Sequence, residues 1–166
     1  AIASGRYEIA IREAQRGIAL QPTLVGRFRF YEALAHLLDM KPDNCLELIG
    51  ESSRGLRAMC QHSRGEVARS MESLDSLKSA LGSASEPSNR QEMLSYRDIA
   101  MFYAWIGEVD ETLDWLDRAF LWSHNAVEFR LIDSEIFDEV REDSSFRSGL
   151  ERIRTRMRER LLEAVG

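Results

Sequence analysis

The sequence predicts an all-α fold, and three observations lead to that prediction. Apolar residues recur at intervals of three and four along most of the 166 residues, which is the period of one helix face. Only 3 prolines and 10 glycines are present, too few for an all-β chain that turns about every ten residues. No segment has a credible strand pattern. Because the predicted helices are joined by tight turns, we expect neighbouring helices to be antiparallel.

The predicted helices follow from apolar stripes and from the residues that stop them. Pro22 and Pro42 each end a stripe, and Asp43 can cap the short helix that follows. In chain order the stripes cover residues 7–20, 28–38, 45–50, a segment ending near 65, 67–81, 93–105, 109–120, 134–140 and a last helix from Ser144. The small, polar stretch at residues 82–88 is the predicted linker.

An internal repeat follows three glycines that each separate two predicted helices, Gly5, Gly65 and Gly107. A small residue stands five positions after every one of them, and the residue twelve positions after is small in two of the three cases. These places are occupied by Ala10, Ser70 and Thr112, and by Gly17, Leu77 and Ala119. Small side chains let one helix approach the next closely, so the spacing indicates stacked helix pairs.

This pattern resembles the tetratricopeptide repeat. Residues 5–22 look like the second helix of such a repeat, with small Ala10 and Gly17 and a closing Pro22. Residues 96–121 match as well, and residues 54–81 and 25–50 match less closely. In the last of these, Asp39 stands for the turn glycine. The resemblance implies a right-handed α-solenoid of antiparallel helix pairs, a fold whose usual function is to bind other proteins rather than to catalyse a reaction.

On this resemblance the chain is one tetratricopeptide-like domain, residues 1–166, cut from a larger protein. Its expected parts are a half repeat at 5–22, an irregular repeat at 25–50, a repeat at 51–81, the linker at 82–88, a repeat at 89–121 and capping helices at 122–166. The glycine separations of 60 and 42 residues differ from the usual repeat length of 34. They require one compressed repeat of about 26 residues and one insertion.

The tail at residues 132–153 is similar to the segment that closes tetratricopeptide domains in bacterial multidomain regulators. These include winged-helix transcription factors, cyclases and kinases. Ser134 replaces a common proline of that segment, and Val140 replaces a leucine. The similarity implies a cytoplasmic, bacterial signalling context.

In the family, the first helix of each pair lines a concave groove that holds peptides. The resemblance therefore implies groove positions on the predicted first helices, namely Arg29, His36, His62, Arg97 and Met101. We take Arg29 and Arg97 as equivalent positions, each able to hold a partner's carboxylate in a bidentate pair. The alternative is that both arginines are solvated surface residues and that His36 and His62 are plain surface or half-buried residues.

Two further places are candidates for surface contact. Trp122 follows the end of a helix, and an exposed tryptophan is a frequent contact hot spot. Near the C-terminus, Arg152, Arg156 and Arg160 fall on one helix face, which would suit an acidic partner or another copy of the chain. The alternative for these arginines is a solvated face, since glutamates alternate with them.

Other functional classes find little support in the sequence. A net charge of −6 disfavours nucleic-acid binding, and no run reaches the roughly 18 apolar residues of a membrane span. No catalytic motif or metal-ligand spacing occurs, so we expect no enzymatic activity, no metal and no cofactor. Cys45 and Cys60 are expected to be buried, reduced thiols, with a disulfide as the minor alternative.

Three functional hypotheses remain open at the level of sequence. The first is an interaction module that binds a protein or peptide. The second is an effector-sensing regulatory domain, and the third is a self-assembly domain. The third rests on the half repeat, because its stripe of Tyr7, Ala10 and Ala14 has lost one neighbouring helix. Upstream sequence or a second copy, giving a homodimer, would then cover that stripe.

Overall fold

The computed structural model describes residue 2 and residues 5–49, 53–82, 87–122 and 132–165. Within these ranges the secondary structure consists of nine α-helices and two short 3-10 turns, with no strand. The predicted all-α fold is confirmed. The helices are α1 (Tyr7–Leu20), α2 (Val25–Leu38), α3 (Pro42–Ile49), α4 (Arg54–Ser63), α5 (Val67–Leu81), α6 (Arg90–Trp105), α7 (Val109–Trp122), α8 (Asp138–Arg141) and α9 (Ser144–Val165). The 3-10 turns, Pro22–Leu24 and Glu135–Phe137, precede α2 and α8.

The chain divides into two compact units, Ala1–Leu77 and Lys78–Gly166. The boundary falls within α5, upstream of the predicted linker at residues 82–88. In the N-terminal unit α1 packs on α2, and α2 packs on both α3 and α4. In the C-terminal unit α6 packs on α7 and α8, and α9 packs on α7 and α8.

Three helices, α2, α4 and α6, end in the same main-chain motif. The amides of Met40, Gly65 and Gly107 each donate to the carbonyl three residues back, and the following amide donates to the carbonyl five residues before it. All three residues have a left-handed φ, between 57° and 82°. This is the Schellman motif, in which a left-handed residue lets the chain satisfy the last helix carbonyls.

The motif corrects the predicted register of α2. Asp39 was expected to stand for the turn glycine, but its φ is −82° and Met40 occupies the left-handed position. Glycine is the usual residue there because a Cβ is strained at positive φ, so the sequence alone gave no reason to choose a methionine.

The Schellman turns that end α2, α4 and α6 show a structural repeat that the positions of the glycines alone do not show. An alanine lies seven residues before Met40, Gly65 and Gly107, as Ala33, Ala58 and Ala100, and all three alanines are fully buried. Met40 follows Gly5 by 35 residues, whereas Gly65 follows Met40 by only 25. The shorter separation is explained by α3, which has only 8 residues, whereas α5 has 15.

The small residues Ser70, Thr112 and Ala119 on the second helices are buried, which is what close helix packing at these positions requires. Ser70 and Thr112 are fully buried, and their hydroxyls donate to the carbonyls of Val67 and Glu108 at 2.8 and 2.6 Å. Ala119 is also buried. At Gly17 a Cβ would overlap the ring of Phe28 in α2, so a larger residue there would displace that ring.

Cys45 and Cys60 form a disulfide, so the expectation of reduced thiols is wrong. Both residues are fully buried, as predicted, and their Cα atoms are 6.2 Å apart, within the usual range for a disulfide. The bond joins α3 to α4. The spacing of 15 residues could not reveal it, because it does not show that the two helix faces meet.

The core of the C-terminal unit surrounds α6. Every residue from Tyr96 to Ala104 is buried, because α7, α8 and the second 3-10 turn all pack on this helix. Phe137 and Phe146 extend the core toward α9, with ring centroids 6.2 Å apart. A helix that is enclosed on all sides must bury its polar residues too.

Candidate interaction surfaces

One face of α2 holds two of the predicted groove residues. Arg29 is exposed and His36 is half-buried, and their separation of seven residues places them on the same face about 10 Å apart along the axis. The Nδ1 atom of His36 is buried and has no hydrogen-bond partner in the described part of the chain. Between them, the nearly buried Glu32 accepts a hydrogen bond of 2.7 Å from Gln15 Nε2, which fixes α1 against α2.

His62 lies in the last turn of α4 and is half-buried. It precedes its left-handed turn residue by three positions, whereas His36 precedes Met40 by four. The two histidines are therefore at different positions of the repeat. Since α4 packs on α2, both belong to the N-terminal unit together with Arg29.

Arg29 and Arg97 are not equivalent, contrary to the prediction. Arg29 precedes Met40 by eleven residues, but Arg97 precedes Gly107 by ten, and one residue turns a side chain by about 100° around a helix. Arg97 is accordingly buried, with Nε and Nη2 at 3.1 and 2.7 Å from Oδ1 of Asp98. Met101 is 1% exposed and belongs to the core of the C-terminal unit. Neither residue lines an accessible groove in this structure.

A stack of aromatic and cationic groups lies on α6 and α7. The rings of Tyr96 and Trp115 are 5.3 Å apart, and the guanidinium of Arg118 lies 4.8 Å above Trp115. Arg118 also pairs with Asp114 at 2.7 Å. Burial raises the pKa of the Tyr96 hydroxyl. Only Trp115 and Arg118 are partly accessible, so the stack serves mainly to hold α7 on α6.

Trp122, the predicted surface contact, is the last residue of α7. Its side chain lies outside the described residues, as do residues 123–131 that follow it. Contact through this tryptophan stays a prediction.

The C-terminal arginines lie where the sequence placed them. Arg152, Arg156 and Arg160 are all exposed on α9, at steps of four residues. Nη2 of Arg156 pairs at 2.7 Å with Oδ1 of Asp117 from α7. On another face of α9, Arg154 pairs with Glu151 at 2.6 Å.

Comparison with known proteins gives no match for this chain. No protein-family model matches the sequence, and no curated protein or solved structure is significantly similar to it. The tetratricopeptide assignment therefore stays a hypothesis that rests on the residues and turns described above.

Among the described residues, no cluster of three histidine, cysteine, aspartate or glutamate side chains has the arrangement of a metal site. The described helices also include none with both the length and the apolar character needed to cross a bilayer.

The stripe proposed for self-association is partly covered within the chain. Ala14 is buried, and Tyr7 and Ala10 are half-buried, because α1 packs on α2. Ile9 and Leu20 are exposed on one face of α1, but the exposed residues Glu13 and Arg16 lie between them. This face is therefore mixed rather than apolar, and a homodimer through α1 stays a prediction.

Proposed function

We propose that this chain is a non-catalytic helical-repeat module of tetratricopeptide type that binds a protein or peptide, within a larger bacterial regulatory protein. The observation that carries the proposal is the recurrence of one turn with one buried alanine in α2, α4 and α6. Repeated helix hairpins bury one side against each other and leave extended surfaces for partners.

The face of α2 with Arg29 and His36 is the best-placed surface of the N-terminal unit for this role. Arg29 is exposed, and its guanidinium has the planar geometry that binds carboxylates through two hydrogen bonds. The buried Nδ1 atom of His36 adds a polar group for which the described residues supply no partner. The Gln15–Glu32 hydrogen bond holds the helix beneath both residues in place. A fixed helix face loses little entropy when it binds a partner.

Site-specific cross-linking in the cells that make the protein tests this proposal. A photo-reactive p-benzoylphenylalanine replaces Arg29 in one variant and Arg27 in another. Both positions are exposed on α2, but they point to different sides of the helix. We expect a discrete adduct with another protein from position 29 and none from position 27.

The other outcomes separate the competing hypotheses. An adduct between two copies of the chain would favour self-assembly instead. The same adducts from both positions, or no protein adduct from position 29, would contradict the proposed binding face.

A further inference from the structure

The second accessible surface is a row of three arginines on α9, Arg152, Arg156 and Arg160, which we call the arginine row. Its members are exposed and recur every four residues, so they follow one face of the helix at intervals of about 6 Å. The whole row is about 12 Å long.

The centre of the row is held by α7. Arg156 pairs with Asp117, yet half of its side chain remains exposed at 51%. Close to the start of the row, α9 approaches α7 so tightly that a Cβ on Gly149 would overlap Leu113. The helix that carries the row is thus fixed to its neighbour, and Arg156 is oriented before a partner arrives.

The positive charge of this region is confined to the row and its helix. Residues 152–160 contain five arginines and one glutamate, a net charge of +4 in a chain whose net charge is −6. Residues 132–143, which lead into α9, contain six acids and one arginine, a net charge of −5. A long polyanion such as nucleic acid would be repelled by the acids outside the row, whereas a short acidic segment would meet a local excess of arginine charge.

The spacing indicates the shape of that segment. In an extended peptide, alternate side chains lie on one side at intervals of about 6.6 Å, close to the 6 Å between successive arginines. Phe146, Leu150 and Ile153 of α9 are buried and Met157 is half-buried, whereas Leu162, which is 75% exposed, lies two residues beyond the end of the row. One exposed leucine beyond the row does not form the apolar groove that an amphipathic helix needs.

We infer that the arginine row binds a short, extended acidic peptide segment with carboxylates at alternate residues. The inference rests on the proposed function and names a partner class for it. Each carboxylate pairs with one guanidinium, and Arg156 and Arg160 share their charge between the ligand and the contacts that they make within the chain.

Fluorescence anisotropy with a labelled Glu-Ser-Glu-Ser-Glu peptide tests the inference on the full chain. The variant Arg152→Gln/Arg160→Gln removes two charges from the row. The matched control Arg154→Gln/Arg158→Gln removes two charges from other faces of the same helix. We expect about tenfold weaker binding for the first and a change within about twofold for the second, given the small energy of each exposed ion pair. Circular dichroism confirms that both variants keep the helical fold.

Two comparison ligands sharpen the result. A Glu-Glu-Glu-Ser-Ser peptide has the same composition but not the alternate spacing, and we expect it to bind more weakly. Equal loss of binding in the two double variants would overturn the inference, since it would show only a diffuse charge effect. Equal or tighter binding of a single-stranded oligonucleotide with the same net charge would also overturn it. Cross-linking from Arg29 does not depend on the row, so failure here leaves that test of the proposed function intact.

Discussion

The α2–α3 hairpin of the N-terminal unit and the α6–α7 hairpin of the C-terminal unit share one turn but are stabilised in different ways. In α2–α3 a methionine occupies the left-handed position, and α3 is only 8 residues long with Cys45 and Ile49 buried. In α6–α7 a glycine occupies that position, and α7 is a full helix of 14 residues. The shorter hairpin gains a disulfide to α4, and the longer one encloses a buried ion pair.

This difference shows which features define the repeat and which compensate for its irregularities. The turn and the buried alanine are common to both hairpins, so they define it. The disulfide lies in the hairpin with the shorter second helix, and a covalent link restricts the unfolded chain without needing more buried surface.

The largest loss of stability is expected when the buried ion pair of the C-terminal unit is broken. Asp98→Ala removes one of the groups that bind the buried guanidinium of Arg97, which should lower the free energy of unfolding by about 3–5 kcal/mol. Denaturant unfolding followed by circular dichroism measures it. Asp114→Ala, which removes a partly exposed partner of Arg118, is the control and should cost about 1 kcal/mol or less. Similar costs for both variants would show that Arg97 is not held by Asp98.

The disulfide should have the next largest effect, confined to the N-terminal unit. Reduction, or Cys45→Ser together with Cys60→Ser, should destabilise that unit by about 3 kcal/mol, as estimated for a closed loop of this length. Hydrogen exchange resolved by peptide measures the change separately in α2–α4 and in α6–α9. Alkylation of the denatured, unreduced protein provides the control, because it should modify neither cysteine. Modification of both cysteines would show that the bond does not form.

The sequence predicted the helices well, because each stripe and stop signal is local information. Three features of the sites were missed for reasons that are not local. Met40 takes a left-handed conformation because the Schellman motif requires one at this position, although a residue with a Cβ atom is strained there. Arg97 is buried because other elements pack around the middle of α6, and the residue type alone does not indicate this. The disulfide depends on the meeting of α3 and α4, which only the packing decides.

The positions of the small residues, by contrast, could be predicted from the sequence. Replacing one of them with a larger side chain should lower the stability of the protein moderately. Ala119→Leu inserts a larger side chain at a buried site of α7 and should cost about 1–3 kcal/mol. Thermal unfolding measures the shift. Ala80→Leu, at an exposed site in the same unit, is the matched control and should change stability by less than about 0.5 kcal/mol. An unchanged midpoint for Ala119→Leu would mean that α7 has a different register.

The smallest change in stability is expected when the residues at the left-handed position of the two hairpins are exchanged. This exchange tests directly whether the two turns have the same geometry. Met40 has a φ of 57° and is 78% exposed, so Met40→Gly relieves backbone strain while removing little buried surface. We expect stabilisation of the N-terminal unit by about 1 kcal/mol, since strain in this region exceeds the entropy cost of glycine. The reciprocal variant, Gly107→Met, places a side chain at a φ of 82° and should destabilise the C-terminal unit by about 1–2 kcal/mol. Denaturant unfolding of both variants measures the two signs, and Met71→Gly in the interior of α5 provides a control that should destabilise by about 1 kcal/mol or more. If Met40→Gly destabilised the protein as Met71→Gly does, the α2–α3 turn would not have the left-handed geometry of the α6–α7 turn. The two hairpins would then not be copies of one structural repeat.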